Sequence, residues 1–183
     1  MTWQKFEYFL NAVHYCMWRN SIKRQLWVNK IVSKAIGCII NIFFTSRFRE
    51  KYNRSQAVRN EKFNKYIKEK KNHFVTWASQ LFWLFYSCYF CIIPFVILGI
   101  SLRLFNEMSS FVILLIFAIP MWLTGNPAQK AIFTKDRYIG FFDRFEKEDE
   151  HWHKKWSRIT TLFCVGAVLM FIGSIGAMIL IDP

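Results

Sequence analysis

Apolar residues follow two different patterns along this chain. Through residues 74–102 they run with no Asp, Glu, Lys or Arg, 29 positions in all. Two more charge-free runs follow at 108–129, apolar over 111–124, and at 159–181. A helix needs about 20 apolar residues to cross a bilayer core. The runs therefore predict an all-α integral membrane protein with about three transmembrane helices. Pro94 lies in the first span and Pro120 in the second, where neighbouring groups must satisfy the freed carbonyls. Gly125-Asn126-Pro127 is expected to end the second span.

The second pattern occupies residues 27–44. Apolar residues come in pairs there, Trp27/Val28, Ile31/Val32, Ala35/Ile36, Ile39/Ile40 and Phe43/Phe44, with polar positions between them. That spacing predicts a helix with one greasy and one polar, cationic face. Three arrangements fit it. It lies flat on anionic lipid, it packs on other helices, or it spans the membrane inside an oligomer with Asn29, Lys30, Ser33, Lys34 and Asn41 lining water. Residues 6–17 also carry apolar positions at helical spacing.

The runs divide the chain into a basic amphipathic N-terminal region (1–73), a transmembrane hairpin (74–124), a helical loop (125–158) and a C-terminal transmembrane helix (159–181). The first 26 residues hold no apolar core of the kind a cleavable signal peptide has.

Charge gives these parts a direction. The net charge is +13, and the basic residues crowd into 1–73 and 125–158, while Arg103 is the one basic residue between the first two spans. Basic loops stay on the cytosolic side. The N-terminus is then cytoplasmic, the short tail after the third span is outside, and the location is the cell's inner (plasma) membrane. The basic stretch 45–73 is read as a helix whose lysines meet lipid headgroups. Lipid accounts for its charge at about 1 kcal/mol per basic residue, so direct nucleic-acid binding is not needed to explain it.

Candidate chemistry is sparse. The five cysteines have no framework spacing, and Cys88 and Cys91 fit as small buried residues of a span. His151-Trp152-His153 sends its two imidazoles to different sides of a helix, so no metal site and no cofactor are expected. No acidic residue inside a span offers ion coupling for a transporter. Tyr138, Phe141, Phe142, Phe145, Trp152 and Trp156 make an aromatic face directed at the membrane or at the N-terminal helices. In the third span, Gly166, Gly173, Gly176 and Ala177 permit close helix approach, either to the chain's own hairpin or to a second copy.

Arg144 and His151 are spaced Arg-x6-His, which on one helix puts them two turns apart on one face. The spacing resembles the Arg-x4-6-His signature of HEPN ribonucleases, in which two protomers bring their Arg and His together to cleave RNA. Phe145 departs from the polar residue usual after that Arg. A small, basic, multi-helix membrane protein bearing this pair resembles the membrane accessory proteins of type VI-B, RNA-targeting CRISPR systems. It is also similar, more loosely, to small multi-span anti-phage effectors. The resemblance implies antiviral defence, a homo-oligomeric pore that depolarises the membrane, and a trigger from an RNA-guided effector or another cytosolic partner. The expected function is thus a membrane pore or permeability effector. The alternatives are a non-pore structural or regulatory subunit of a membrane complex, and an HEPN-type ribonuclease.

Overall fold

A computed structural model describes residues 2–70, 72–105 and 108–181, without the side chains of Asn41, Phe43 and Lys68. Every regular element among the described residues is helical: α1 (Trp3–Phe43), α2 (Ser46–Lys68), α3 (His73–Cys88), α4 (Ile92–Leu104), α5 (Ser110–Ile132), α6 (Arg137–Phe145) and α7 (Glu150–Ile181). A 3-10 turn at Thr134–Asp136 joins α5 to α6. The chain forms two compact units, Met1–Met17 with Ser79–Pro183, and Trp18–Ala78.

The first unit holds the apolar helices. The segments Ser110–Phe145 and Glu150–Ile181 are long and apolar enough to cross a membrane, and α3 with α4 makes a third only if the bent pair counts as one span. The expected single first span is therefore two helices, bent by 47° at a break of three residues, Tyr89 to Cys91. Pro94 explains the position. Its ring clashes with the carbonyl four residues back, at Phe90, but it is tolerated in the first turn of α4.

α4 packs on both α7 and α5. A Cβ on Gly99 would lie 3.2 Å from the Met178 carbonyl oxygen and 3.3 Å from Ile181, so the glycine brings α4 close to the α7 backbone. Phe95 meets Phe117 edge to face at 5.3 Å and also contacts Phe171.

The expected stop at Gly125-Asn126-Pro127 does not form. α5 continues through it to Ile132. Pro127 removes one N–H from the ladder, and the Tyr86 hydroxyl donates to the Thr124 carbonyl at 3.0 Å, close to that defect. Thr124 Oγ1 likewise donates to the Pro120 carbonyl at 2.8 Å. The chain turns after α5 at Lys135 and Asp136, both in the left-handed region at φ 56° and 54°.

The aromatic face predicted in 125–158 packs on the start of α1. Tyr8 contacts Phe145 and Trp156 edge-on and accepts a hydrogen bond from Trp152 Nε1 at 2.9 Å. Arg137 pairs with Glu7 at 3.0 Å. Asn11 Nδ2 donates to the Ala131 carbonyl at 3.0 Å. His14 is fully buried among Phe82, Phe133, Tyr138 and Phe142, with Nε2 3.1 Å from Ser79 Oγ. Burial in this apolar cage lowers the His14 pKa from 6.5 to about 3, because a desolvated imidazolium is disfavoured.

The second unit is a helical hairpin leading into α3. At its tip Phe44 stacks on Phe48 at 4.5 Å, and Arg49 Nε donates to the Phe44 carbonyl at 3.1 Å. At its base Asn72 ties two helices together. Its Oδ1 accepts from the Phe74 and Val75 N–H groups and caps α3, while Nδ2 donates to the Tyr66 carbonyl at the end of α2. A cap of this kind contributes about 1 kcal/mol.

Candidate functional site

The hairpin of the second unit carries the five residues of the polar stripe that the sequence put forward. Within 27–44 the helical register decides which side is covered. Gln25, Asn29, Ser33 and Gly37, four apart, are half-buried. Ile31, Val32 and Ile39 are exposed, and Trp27 and Ile42 reach 64% and 73% exposure. The amphipathic helix thus turns Asn29 and Ser33 inward and most of its greasy face outward, while Lys30 and Lys34 stay exposed and Ile40 is buried. This is the reverse of a soluble surface helix.

The polar stripe meets α2 across two contiguous grooves. One, about 470 Å3, is lined from α1 by Leu26, Asn29, Lys30 and Ser33 and from α2 by Asn60, Phe63 and Asn64. The other, about 130 Å3, adds Val32, Ile36, Gln56 and Arg59. Asn29 is held by Gln25, whose Nε2 donates to its Oδ1 at 3.2 Å. Lys34, expected on the same stripe, is exposed and lines neither groove. The side chain of Asn41 lies outside the described residues. α2 carries eight basic and two acidic residues, Glu50 and Glu61, and Glu50 pairs with Arg54 at 3.4 Å.

Arg144 and His151 do not share a helix. Arg144 lies in the last turn of α6 and His151 in the first turn of α7, with residues 146–149 between. Asp149 starts the new helix, its carboxylate accepting from the Trp152 N–H at 2.7 Å. Both residues are exposed, and the Arg144 guanidinium sits 5.9 Å from the centre of the Tyr8 ring. The two histidines of His151-Trp152-His153 separate as anticipated: His153 is buried and stacked on Tyr15. Among the described residues no group of three His, Cys, Asp or Glu side chains could hold a metal ion.

The small residues of α7 divide between two surroundings. A Cβ on Gly166 would lie 2.6 Å from the Tyr89 hydroxyl, which itself donates to the Phe163 carbonyl at 2.7 Å. Gly166 therefore serves contact with the chain's own first hairpin. At Gly173 and Gly176 a Cβ would meet nothing within 4 Å among the described residues, and Ala177 is half-buried.

Sequence reasoning missed the node around His14. Asn11 Oδ1 and His14 Nδ1 are buried there with no hydrogen-bond partner among the described residues. Only the three-residue spacing of two polar side chains within an apolar stretch marks it.

Comparison with protein-family models, curated proteins and solved structures gives no match.

Proposed function

We propose that this protein is a non-enzymatic, non-pore subunit of a membrane assembly, held against the cytosolic leaflet by the hairpin of α1 and α2. One observation carries the reading: Asn29 and Ser33 turn toward α2, while Trp27, Ile31, Ile39 and Ile42 stay outside. A water-lining α1 needs Asn29 and Ser33 open to water rather than covered by α2. α2 lies alongside α1 across the grooves, so a membrane-spanning α1 would draw α2 into the bilayer. Each Lys or Arg at the centre of a bilayer costs about 2.5–3.5 kcal/mol, and α2 carries eight. At the surface the charge term changes sign while the apolar face is still buried in lipid. A fully buried apolar side chain contributes about 1.5–3 kcal/mol, and each basic residue beside anionic lipid about 1 kcal/mol.

The test is the depth of Trp27 in proteoliposomes. Lipids brominated high on the acyl chain quench Trp27 fluorescence, measured as the difference between the wild type and Trp27→Leu, and the membrane potential of the vesicles holds. An unquenched Trp27 together with a collapsing potential would sink the reading.

A second reading, the oligomeric permeability effector, keeps one specific support. Gly173 and Gly176 leave open backbone on α7, where another helix can approach closely. It requires a ring of many copies in mild detergent and loss of membrane potential on triggering.

A further inference from the structure

We propose that the grooves between α1 and α2 form a binding site for a phosphate ester anion, filled by the headgroup of an anionic phospholipid. The site refines the surface reading above and rests on it.

The lining has the chemistry of an anion site. Lys30 and Asn64 line the larger groove and Arg59 the smaller, and the two share Asn29, Ser33 and Asn60. Neither groove is lined by a carboxylate among the described residues. Glu61 on α2 is exposed and outside both, and Glu50 is engaged by Arg54. Lys30, Ser33, Arg59, Asn60 and Asn64 make no side-chain hydrogen bond or ion pair among the described residues, so their donors are available. Arg presents a planar fork that matches two phosphate oxygens, and Lys adds a point charge. Amide and hydroxyl donors satisfy the remaining oxygens.

The rim favours a lipid over a free ion. Leu26, Val32 and Ile36 edge the grooves on the α1 side and continue into the exposed apolar face of Ile31, Ile39 and Ile42. A headgroup seated in these grooves places its glycerol and acyl chains along that face. Hydrated inorganic phosphate gains nothing from it. The contiguous volume of about 470 Å3 and 130 Å3 exceeds what one phosphate fills, which leaves room for an alcohol substituent.

The full-length protein in mild neutral detergent is offered phosphatidylglycerol, phosphatidylcholine or inorganic phosphate, and retained adducts are read by native mass spectrometry. The expected result is one retained phosphatidylglycerol and no retained phosphatidylcholine. Lys30→Gln with Arg59→Gln reduces phosphatidylglycerol retention by about tenfold or more, the equivalent of one lost charge-assisted hydrogen bond. Lys51→Gln with Lys65→Gln removes the same charge from α2 outside the grooves and leaves retention within about twofold, a difference well under one such bond. Equal loss in the two double variants overturns the site and leaves only diffuse attraction. Equal retention of phosphatidylcholine overturns it too. Saturation by inorganic phosphate that blocks the lipid keeps the anion site but assigns it to a soluble phosphate. Tighter competition by a short RNA overturns the lipid assignment. Quenching of Trp27 by brominated lipid is read in parallel on the groove variant. If quenching persists while the adduct is lost, the surface reading survives and the wild-type adduct decides the site. If wild-type quenching fails, the surface reading falls by itself.

Discussion

Tyr89 and Gly166 are fitted to each other: the Tyr89 hydroxyl fills the space a Cβ on Gly166 would need, 2.6 Å away, while donating to the Phe163 carbonyl. The contact joins the break between α3 and α4 to the middle of α7. Gly166→Ala must push the hydroxyl aside, so it costs about 1–2 kcal/mol through the lost hydrogen bond and crowding. Tyr89→Phe costs about 1 kcal/mol. Because both remove the same bond, the double variant Tyr89→Phe/Gly166→Ala costs clearly less than the two together. Thermal unfolding in detergent measures the cycle, and simple additivity would refute the coupling.

Gly173 and Gly176 face no neighbour among the described residues. Gly173→Leu and Gly176→Leu leave folding of the single chain intact and, for a non-pore subunit, leave native mass and membrane potential unchanged. A fall in mass accompanied by restored potential assigns this face to self-association instead.

His14 sets a pH limit on the first unit. Its folded pKa of about 3 lies below the unfolded 6.5, so the unfolded chain binds a proton that the folded chain does not. Stability is therefore intact above about pH 6.5 and falls by about 1.4 kcal/mol per pH unit as pH drops from there toward 3. His14→Phe flattens that dependence between pH 6.5 and 5, whatever its effect on stability at pH 8. Melting curves at several pH values report it, and an unchanged slope in the variant would count against the cage.

Arg144 and His151 sit on separate helices, and His151 lies in the first turn of α7. For a non-enzymatic subunit, purified protein leaves single-stranded RNA uncut, and Arg144→Ala and His151→Ala change nothing in that assay. RNA cleavage that disappears in both variants would restore the ribonuclease reading.

Some of this was legible in the chain because it depends on composition over many residues. The runs at 74–102, 111–124 and 159–181 announced apolar helices, and the pairs from Trp27/Val28 to Ile39/Ile40 announced a two-faced one. What escaped depends on single contacts. The break between α6 and α7 falls in residues 146–149, a stretch with no glycine or proline, and is set by the Asp149 carboxylate reaching the Trp152 N–H. The passage of α5 through Pro127 is accompanied by a hydroxyl from Tyr86, 41 positions earlier.

The sequence by itself determined that the protein is helical, basic and apolar enough in two or three places to cross a membrane. Periodicity and charge are local sums, and no tertiary contact can erase them. Only the tertiary structure decided which way the faces turn. It set Asn29 and Ser33 toward α2, left Trp27 and Ile42 outside, and assigned Gly166 to Tyr89 while leaving Gly173 open. A helix of any given periodicity can present either face to its neighbour, and the choice belongs to the neighbour.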